Sequence, residues 1–181
     1  MKQNVTYAIF GGSFDPPHLG HKEIIKKSLE IADYIIVVPT FLNPFKSSFS
    51  VEPKKRLKWV KKSFDFKNIL VSSFEIEQKR AVYTIETFNE LSKSYPIKYI
   101  IIGADNLKNI QKWKSFEALN SKITWIVATR SSEHLDTSKL NSFRIVNVSI
   151  DVSSSEIRSG KKLDYIDKNI KNEVINEYRV K

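Results

Sequence analysis

Six short runs of apolar and β-branched residues recur along this chain, and amphipathic or polar stretches separate them. The runs cover residues 5–10, 33–39, 68–72, 97–102, 123–128 and 143–148. Continuous apolar runs of this length are typical of strands that are buried on both faces of a parallel sheet. Parallel strands need a crossover between them, and a helix usually supplies it. The alternation therefore predicts an α/β fold with a doubly wound parallel sheet.

Helical patterns fill the gaps between the predicted strands. Pro53 stands where a second helix would begin, Thr84 is suited to cap a third, and a fourth helical stretch runs from Ile110 to Leu119. A final helix near residues 165–178 belongs to a C-terminal helical end at about 153–181. The expected architecture is one Rossmann-like sheet with helices on both faces.

The turn after the first run joins a strand to a helix and reads GGSFDPPHLGH at residues 11–21. Paired glycines let a phosphate approach the backbone, and a helix N-terminus offers unpaired N–H groups. His18 and His21 share one face of the first helical turn, where both can donate to phosphate oxygens. This turn is therefore predicted to hold a polyphosphate. The alternative is that the histidines only cap the helix.

Three other unusual segments also follow predicted strands directly. Residues 40–51 form a long polar and aromatic loop, residues 103–107 read GADNL, and residues 152–158 read VSSSEIR. The last segment combines three hydroxyl groups and backbone donors with Arg158, which makes a second candidate phosphate site, although serines after a strand also commonly cap helices. Ligands of parallel sheets bind beyond the carboxyl ends of the strands, so we expect these segments to converge there.

Composition limits the partners of the chain. The formal charge of +10 favours acidic ligands such as nucleotides, but the lysines are dispersed and form no dense basic block with interleaved aromatic residues, so we expect no nucleic-acid partner. The absence of cysteine excludes disulfides and thiolate-bound zinc. No segment approaches the roughly 18 apolar residues of a membrane span. Because residues 1–4 lead directly into the first predicted strand, we expect no signal peptide. We therefore expect a soluble, cytoplasmic protein with no membrane partner, and homo-oligomerisation stays open.

The two candidate phosphate segments resemble the signatures of the nucleotidyltransferase superfamily. Its members carry a His-x-x-His or Thr-x-x-His pair after a glycine-rich first strand, and residues 11–21 are similar to that pattern throughout. Their C-terminal motif, Ile-Ser-Ser-Thr-x-Ile-Arg, resembles residues 152–158, with Val152 in place of Ile and Ser155 in place of Thr. The resemblance implies a single nucleotidyltransferase α/β domain over residues 1–181.

The middle of the chain resembles bacterial nicotinate-nucleotide adenylyltransferases in particular. Residues 83–88 are similar to their Tyr-Thr-x-Asp-Thr-Leu segment, and residues 103–107 with Trp113 are similar to their Gly-Ala-Asp-x-Leu…Trp pattern. The loop after the second strand usually reads Pro-x-His-Lys in that family. Here Phe45 stands in place of the histidine and Lys46 keeps the cation.

The resemblance implies transfer of the adenylyl group of ATP to nicotinate mononucleotide, giving deamido-NAD and pyrophosphate, with Mg²⁺ carried by ATP and no metal site on the protein. The implied catalytic residues are His18, His21 and Arg158. The implied ATP-binding residues are Gly11, Gly12, Ser13, Phe14, His18, His21, Ser153, Ser154, Ser155 and Arg158. The implied substrate-binding residues are Lys46, Tyr83, Thr84, Gly103, Asp105 and Trp113.

Several alternatives stay open at this point. Trp113 taken alone is typical of a core tryptophan, and Asp105 is typical of a helix cap. The alternative acceptor is nicotinamide mononucleotide or another phosphorylated compound. A non-catalytic nucleotide- or RNA-binding module is the alternative from a different class, although binding alone would not require both histidines and Arg158.

Overall fold

A computed structural model describes residues 5–130 and 135–179, and in it six strands form one sheet. The strands are β1 (Tyr7–Gly12), β2 (Tyr34–Pro39), β3 (Ile69–Val71), β4 (Ile97–Gly103), β5 (Thr124–Thr129) and β6 (Phe143–Asn147). Their order is β3-β2-β1-β4-β5-β6, and all neighbouring strands are parallel. The predicted doubly wound parallel sheet is confirmed, and the strand order reverses between β1 and β4.

Helices follow the strands at most of the predicted positions. The α-helices are α1 (Leu19–Ser28), α2 (Pro53–Ser63), α3 (Phe74–Glu77), α4 (Thr84–Leu91), α5 (Phe116–Asn120), α6 (Ser154–Arg158) and α7 (Lys171–Tyr178). Two segments are 3₁₀ helices, at Ala104–Lys112 and Leu163–Tyr165. Pro53 is the first residue of α2, as predicted.

The prediction that Thr84 caps a helix was wrong, because Thr84 is the first helical residue of α4 and Tyr83 is the N-cap. Tyr83 has an extended backbone, and its N–H donates to Oε2 of Glu86 at 3.0 Å. The carboxylate of Glu86, and not the hydroxyl of Thr84, thus caps the N-terminus of α4.

The predicted helix from Ile110 to Leu119 is split in the structure. The 3₁₀ helix that starts at Ala104 ends before Trp113, whose backbone is extended, and Ser115 has a left-handed backbone with φ of 56°. Apolar residues spaced by three fit a 3₁₀ turn as well as an α-helix, so the spacing alone could not distinguish them. The final helix also begins later than predicted, at Lys171.

Alternate residues of the strands pack on opposite faces of the sheet. Ile9 shares an apolar cluster with Phe88 of α4 and Leu119 of α5. Its neighbour Phe10 belongs to a second cluster, with Ile25 of α1. This two-residue alternation covers both faces with helices and leaves the carboxyl ends of the strands open to ligands.

The C-terminal segment packs against α2 through a third apolar cluster. Trp59 of α2 is fully buried among Ile157, Ile166 and Val174. Within the described residues no helix is long and apolar enough to cross a membrane. Residues 1–4 were predicted to run directly into the first strand, and residues 180–181 to end the C-terminal helical segment. Both stretches lie outside the described residues.

Candidate active site

Three adjoining cavities lie along the carboxyl-terminal edge of the sheet in the described part of the chain. The histidine cavity, lined by His18 and His21, has a volume of about 710 Å³. The tryptophan cavity, lined by Trp113, has a volume of about 430 Å³. These two share six lining residues: Phe10, Gly11, Gly12, Asn43, Gly103 and Asn106. They therefore meet at the point where the strand order reverses, where open α/β sheets bind ligands.

The two histidines form a reciprocal cap on α1. Nδ1 of His18 accepts from the backbone N–H of His21 at 3.4 Å, and Nδ1 of His21 accepts from the backbone N–H of His18 at 3.2 Å. Their rings stack with centroids 3.7 Å apart. A neutral imidazole carries one N–H, so both rings hold theirs on Nε2. Capping and ligand binding are thus compatible, because each function uses a different nitrogen.

Both histidines are neutral at physiological pH. Burial, together with the charge of Arg130, lowers the pKa of His18 to about 3. Burial and the neighbouring His18 hold the pKa of His21 well below its usual range. The ring of Phe14 packs edge-on against His21 with centroids 4.9 Å apart. The histidines can therefore act as N–H donors, and positive charge must come from other residues.

Arg130 also lines the histidine cavity, and the sequence analysis missed it. Its guanidinium donates to Oδ1 of Asp151 at 3.0 Å and to the carbonyl of Val152. The residue directly follows β5, so its position after a predicted strand was the signal that could have found it. These contacts hold the guanidinium group of Arg130 beside residues 152–158, at the same edge of the sheet as the two histidines.

The serines after β6 mainly organise the backbone. Oγ of Ser153 accepts from the N–H of Glu156 at 3.2 Å and caps α6. Oγ of Ser154 donates to the carbonyl of Pro16 at 2.9 Å, which ties α6 to the turn after β1. Both serines line the histidine cavity. The predicted segment is therefore at the site, with hydroxyl groups that already have protein partners.

Arg158 faces a third cavity, of about 220 Å³, which we call the loop cavity. Its guanidinium donates to the carbonyl of Asp15 and to Oγ of Ser155, the latter at 3.0 Å. Ser13 lines the loop cavity as well. Arg158 and Ser13, which are predicted to bind ATP, therefore line the loop cavity and not the histidine cavity. Lys46 lines both cavities and so connects them.

Arg56 is the second residue that the sequence analysis missed. It is 1% exposed, and its Nη2 donates to the carbonyls of Thr40 at 2.8 Å and Phe41 at 2.9 Å. The other nitrogens donate to the carbonyls of Val51 and Ser13. One guanidinium thus holds both ends of the loop after β2 and the turn after β1 in a fixed relation.

The tryptophan cavity has aromatic walls. Trp113 packs edge-on against the core residue Trp125, with centroids 6.0 Å apart, while it lines the cavity. Tyr83 lines the cavity too, and Nζ of Lys114 lies 4.6 Å from the centre of its ring. Phe45, which departs from the family pattern, is 66% exposed and also lines this cavity. Its ring thus adds aromatic surface where the family has a histidine.

The remaining predicted substrate residues divide between two cavities. Thr84 and Gly103 line the tryptophan cavity. Asp105 lines the histidine cavity. Its Oδ1 accepts from Nδ2 of Asn106 at 3.3 Å, and a Cβ on Gly103 would lie 2.4 Å from this oxygen. Glycine at position 103 therefore leaves room for the carboxylate of Asp105.

Glu75 of α3 is the third residue that the sequence analysis missed. It is 4% exposed and lines the tryptophan cavity. Its Oε1 accepts from Oγ1 of Thr87 at 2.6 Å. Burial raises the pKa of the Glu75 carboxyl to about 7. A glutamate on a short charged helix is ordinarily exposed, so the sequence held no signal for this role.

Comparison with known proteins shows the family to which the chain belongs. The cytidylyltransferase-like family model matches residues 9–160. Relatives from Sulfurovum sp. and Aliarcobacter butzleri, both named "Probable nicotinate-nucleotide adenylyltransferase", are 44% identical over 170 and 174 residues. These matches cover 92% and 93% of this chain, and 90% and 94% of the relatives.

A solved structure agrees in fold. It is the Plasmodium falciparum nicotinic acid mononucleotide adenylyltransferase complexed with NaAD, and it matches with a TM-score of 0.74 and 22% identity over 97% of each chain. The resemblance that the motifs indicated is confirmed. This chain belongs to the cytidylyltransferase-like family and, within it, to the nicotinate-nucleotide adenylyltransferases.

Proposed function

We propose that this protein transfers the adenylyl group of ATP to nicotinate mononucleotide, producing deamido-NAD and pyrophosphate for NAD biosynthesis. The observation that carries the proposal is the pair of cavities that meet across the ends of β1 and β4. One presents hydrogen-bond donors and cations suited to a triphosphate, and the other presents aromatic walls suited to a pyridine ring. The names of the relatives at 44% identity support the same activity.

The triphosphate would lie in the histidine cavity. His18 and His21 would donate through Nε2–H to phosphate oxygens, and Arg130 and Lys46 would supply positive charge. Arg158 would approach from the loop cavity. Within the described residues no cluster of three or more His, Asp or Glu side chains could hold a metal ion. Mg²⁺ would enter on the phosphates of ATP, as part of the substrate.

The reaction needs no nucleophile from the protein. An oxygen of the acceptor's 5′-phosphate, already anionic at neutral pH, forms a bond to the α-phosphorus of ATP. The bond from the α-phosphorus to the bridging oxygen breaks, and pyrophosphate leaves with the electron pair. The protein therefore acts by aligning the two substrates and by stabilising the charge on the phosphates.

The acceptor would place its ring in the tryptophan cavity. Trp113 and Tyr83 offer aromatic surface for stacking, and Phe45 covers the ring from the loop. The first turn of α4, which begins at Thr84, has backbone N–H groups without helical partners. These groups are suited to hold the ring carboxylate.

The proposal is tested with ATP, Mg²⁺ and a panel of mononucleotides. We expect pyrophosphate release to be fastest with nicotinate mononucleotide and the product to have the mass of deamido-NAD. Pyrophosphate release with none of the acceptors would contradict the proposal and favour a nucleotide-binding module. Release only with an acceptor that lacks a pyridine ring would reassign the tryptophan cavity.

Trp113→Ala is expected to raise the KM for the mononucleotide about tenfold and to leave the KM for ATP near wild type. Loss of aromatic stacking costs roughly 0.5–1.5 kcal/mol, in addition to the buried area that is lost. Initial rates with each substrate varied in turn measure this split. Trp113→Phe retains an aromatic ring and is the matched control. A rise in the ATP KM alone would show that the pyridine site lies elsewhere.

Gly11→Ala is expected to lower kcat/KM for both substrates about tenfold, with a melting temperature close to that of wild type. A Cβ at this position meets no protein atom within 4 Å, and Gly11 lines both cavities. The added methyl group would therefore occupy space that the reacting phosphates need, at a cost on the order of 1.4 kcal/mol. Unchanged kinetics in a folded variant would place the phosphates away from Gly11.

A further inference from the structure

Glu75 has an unusual position in the tryptophan cavity. Its side chain is 4% exposed, and Oε1 accepts a hydrogen bond from Oγ1 of Thr87 in α4. Its Oε2 is also buried and has no hydrogen-bond partner within residues 5–130 and 135–179. A buried carboxyl oxygen without a partner is costly, and such groups in native proteins usually have a functional reason. Because Glu75 lines the cavity, a bound ring could supply the missing partner.

Burial favours the neutral form of this carboxyl. Burial raises the pKa of Glu75 to about 7; the hydrogen bond from Thr87 acts in the opposite direction, and the like charge of Glu86 raises the pKa further. Lys112, Lys114 and Tyr83 also line the cavity. The ammonium of Lys114 lies over the Tyr83 ring. Of the described residues that line this cavity, β1 and β4 contribute only apolar residues and glycines.

We propose that Glu75 selects between a carboxylate and a carboxamide on the pyridine ring of the acceptor, by donating a hydrogen bond from its protonated Oε2. This inference rests on the proposed function, since it takes a pyridine mononucleotide as the acceptor. The neutral carboxyl donates to a nicotinate carboxylate, whereas the ionised carboxylate repels it. A carboxamide offers both a donor and an acceptor, so it bonds to either form of Glu75.

The preference for nicotinate over nicotinamide mononucleotide therefore falls as pH rises. The measurement is kcat/KM for both mononucleotides between about pH 6 and pH 8.5, expressed as their ratio. The ratio cancels the ionisation of ATP and of the 5′-phosphate, because these affect both acceptors. We expect it to fall about tenfold or more, with a midpoint near the pKa of Glu75 in the free enzyme.

Glu75→Gln separates this role from folding. The glutamine keeps the shape, accepts from Thr87 and donates from its amide, but stays neutral at every pH. We expect the ratio of the two kcat/KM values for Glu75→Gln to be independent of pH and close to the wild-type value at low pH. Glu77→Gln is the matched control, because Glu77 is exposed at the end of the same helix and loses the same charge. We expect this control to retain the wild-type fall.

Two results would overturn the inference. One is a wild-type ratio that does not change with pH, and the other is an equal fall of the ratio in Glu75→Gln. If that Glu75→Gln variant also has a lower melting temperature, the role of Glu75 is purely structural. Absence of product with every acceptor is a different failure, since it contradicts the proposed function and removes this inference with it.

Discussion

His18→Asn is expected to lower kcat about a hundredfold or more while stability stays near wild type. Asparagine is a favourable N-cap, and its Oδ1 can accept from the N–H of His21 as Nδ1 of the histidine does. It has no N–H at the place of Nε2, so the phosphates lose one donor. Removing one such donor costs roughly 2.7–4 kcal/mol of barrier in comparable sites. Pyrophosphate release gives kcat, and thermal unfolding gives the stability.

His18→Ala is the informative companion to this variant. It removes both the cap and the donor, so it should lose about 1 kcal/mol of stability in addition to the loss of kcat. The sequence alone predicted a phosphate donor, and the reciprocal cap shows why alanine would mix two effects. Near-normal kcat in folded His18→Asn would remove the histidine from the mechanism.

Ionisation of His18 makes the stability of the wild-type protein depend on pH, and His18→Asn should remove this dependence. The pKa of His18 is lowered in the folded protein to about 3, from an ordinary value near 6.5. The stability that this neutral ring contributes is therefore present above about pH 6.5 and is lost as pH falls towards 3. The free energy of unfolding of His18→Asn should therefore fall less steeply than that of wild type as pH decreases. The kcat of the wild type should show no titration of His18 near neutral pH.

Local patterns predicted much of the fold and part of the site. The six strands could be predicted because continuous apolar runs of parallel strands differ from the helical patterns between them. The turn at 11–21 could be predicted because its glycines and histidines act within one strand-to-helix connection. In both cases the physical cause lies within about ten neighbouring residues.

Two of the missed residues, Arg56 and Glu75, depend on contacts outside their own helices. Arg56 lies in a lysine-rich helix that is typical of a solvated face, and only the carbonyls around it make it a buried clamp. The raised pKa of Glu75 comes from burial beside α4. The placement of Arg158 at the loop cavity likewise depends on the carbonyl of Asp15, 143 residues away. No short pattern carries such contacts.

Arg56→Met is expected to lower the free energy of unfolding by roughly 3–5 kcal/mol, the range for breaking a buried charged network. Methionine fills a similar volume, but four carbonyl oxygens lose their donor. The loop after β2 carries Asn43 and Lys46 into the cavities, so its release should also raise the KM of both substrates. Urea unfolding and initial rates measure the two effects.

Lys54→Met is the matched control for the charge, because Lys54 is exposed on the first turn of the same helix. We expect its stability to stay within about 0.5 kcal/mol of wild type, as for most surface substitutions. Arg56→Lys keeps the charge but lacks the planar guanidinium group. Its free energy of unfolding should therefore lie between those of Arg56→Met and Lys54→Met. If Arg56→Met were as stable as Lys54→Met, the carbonyls would have found other donors, and the loop would be held by its own contacts rather than by Arg56.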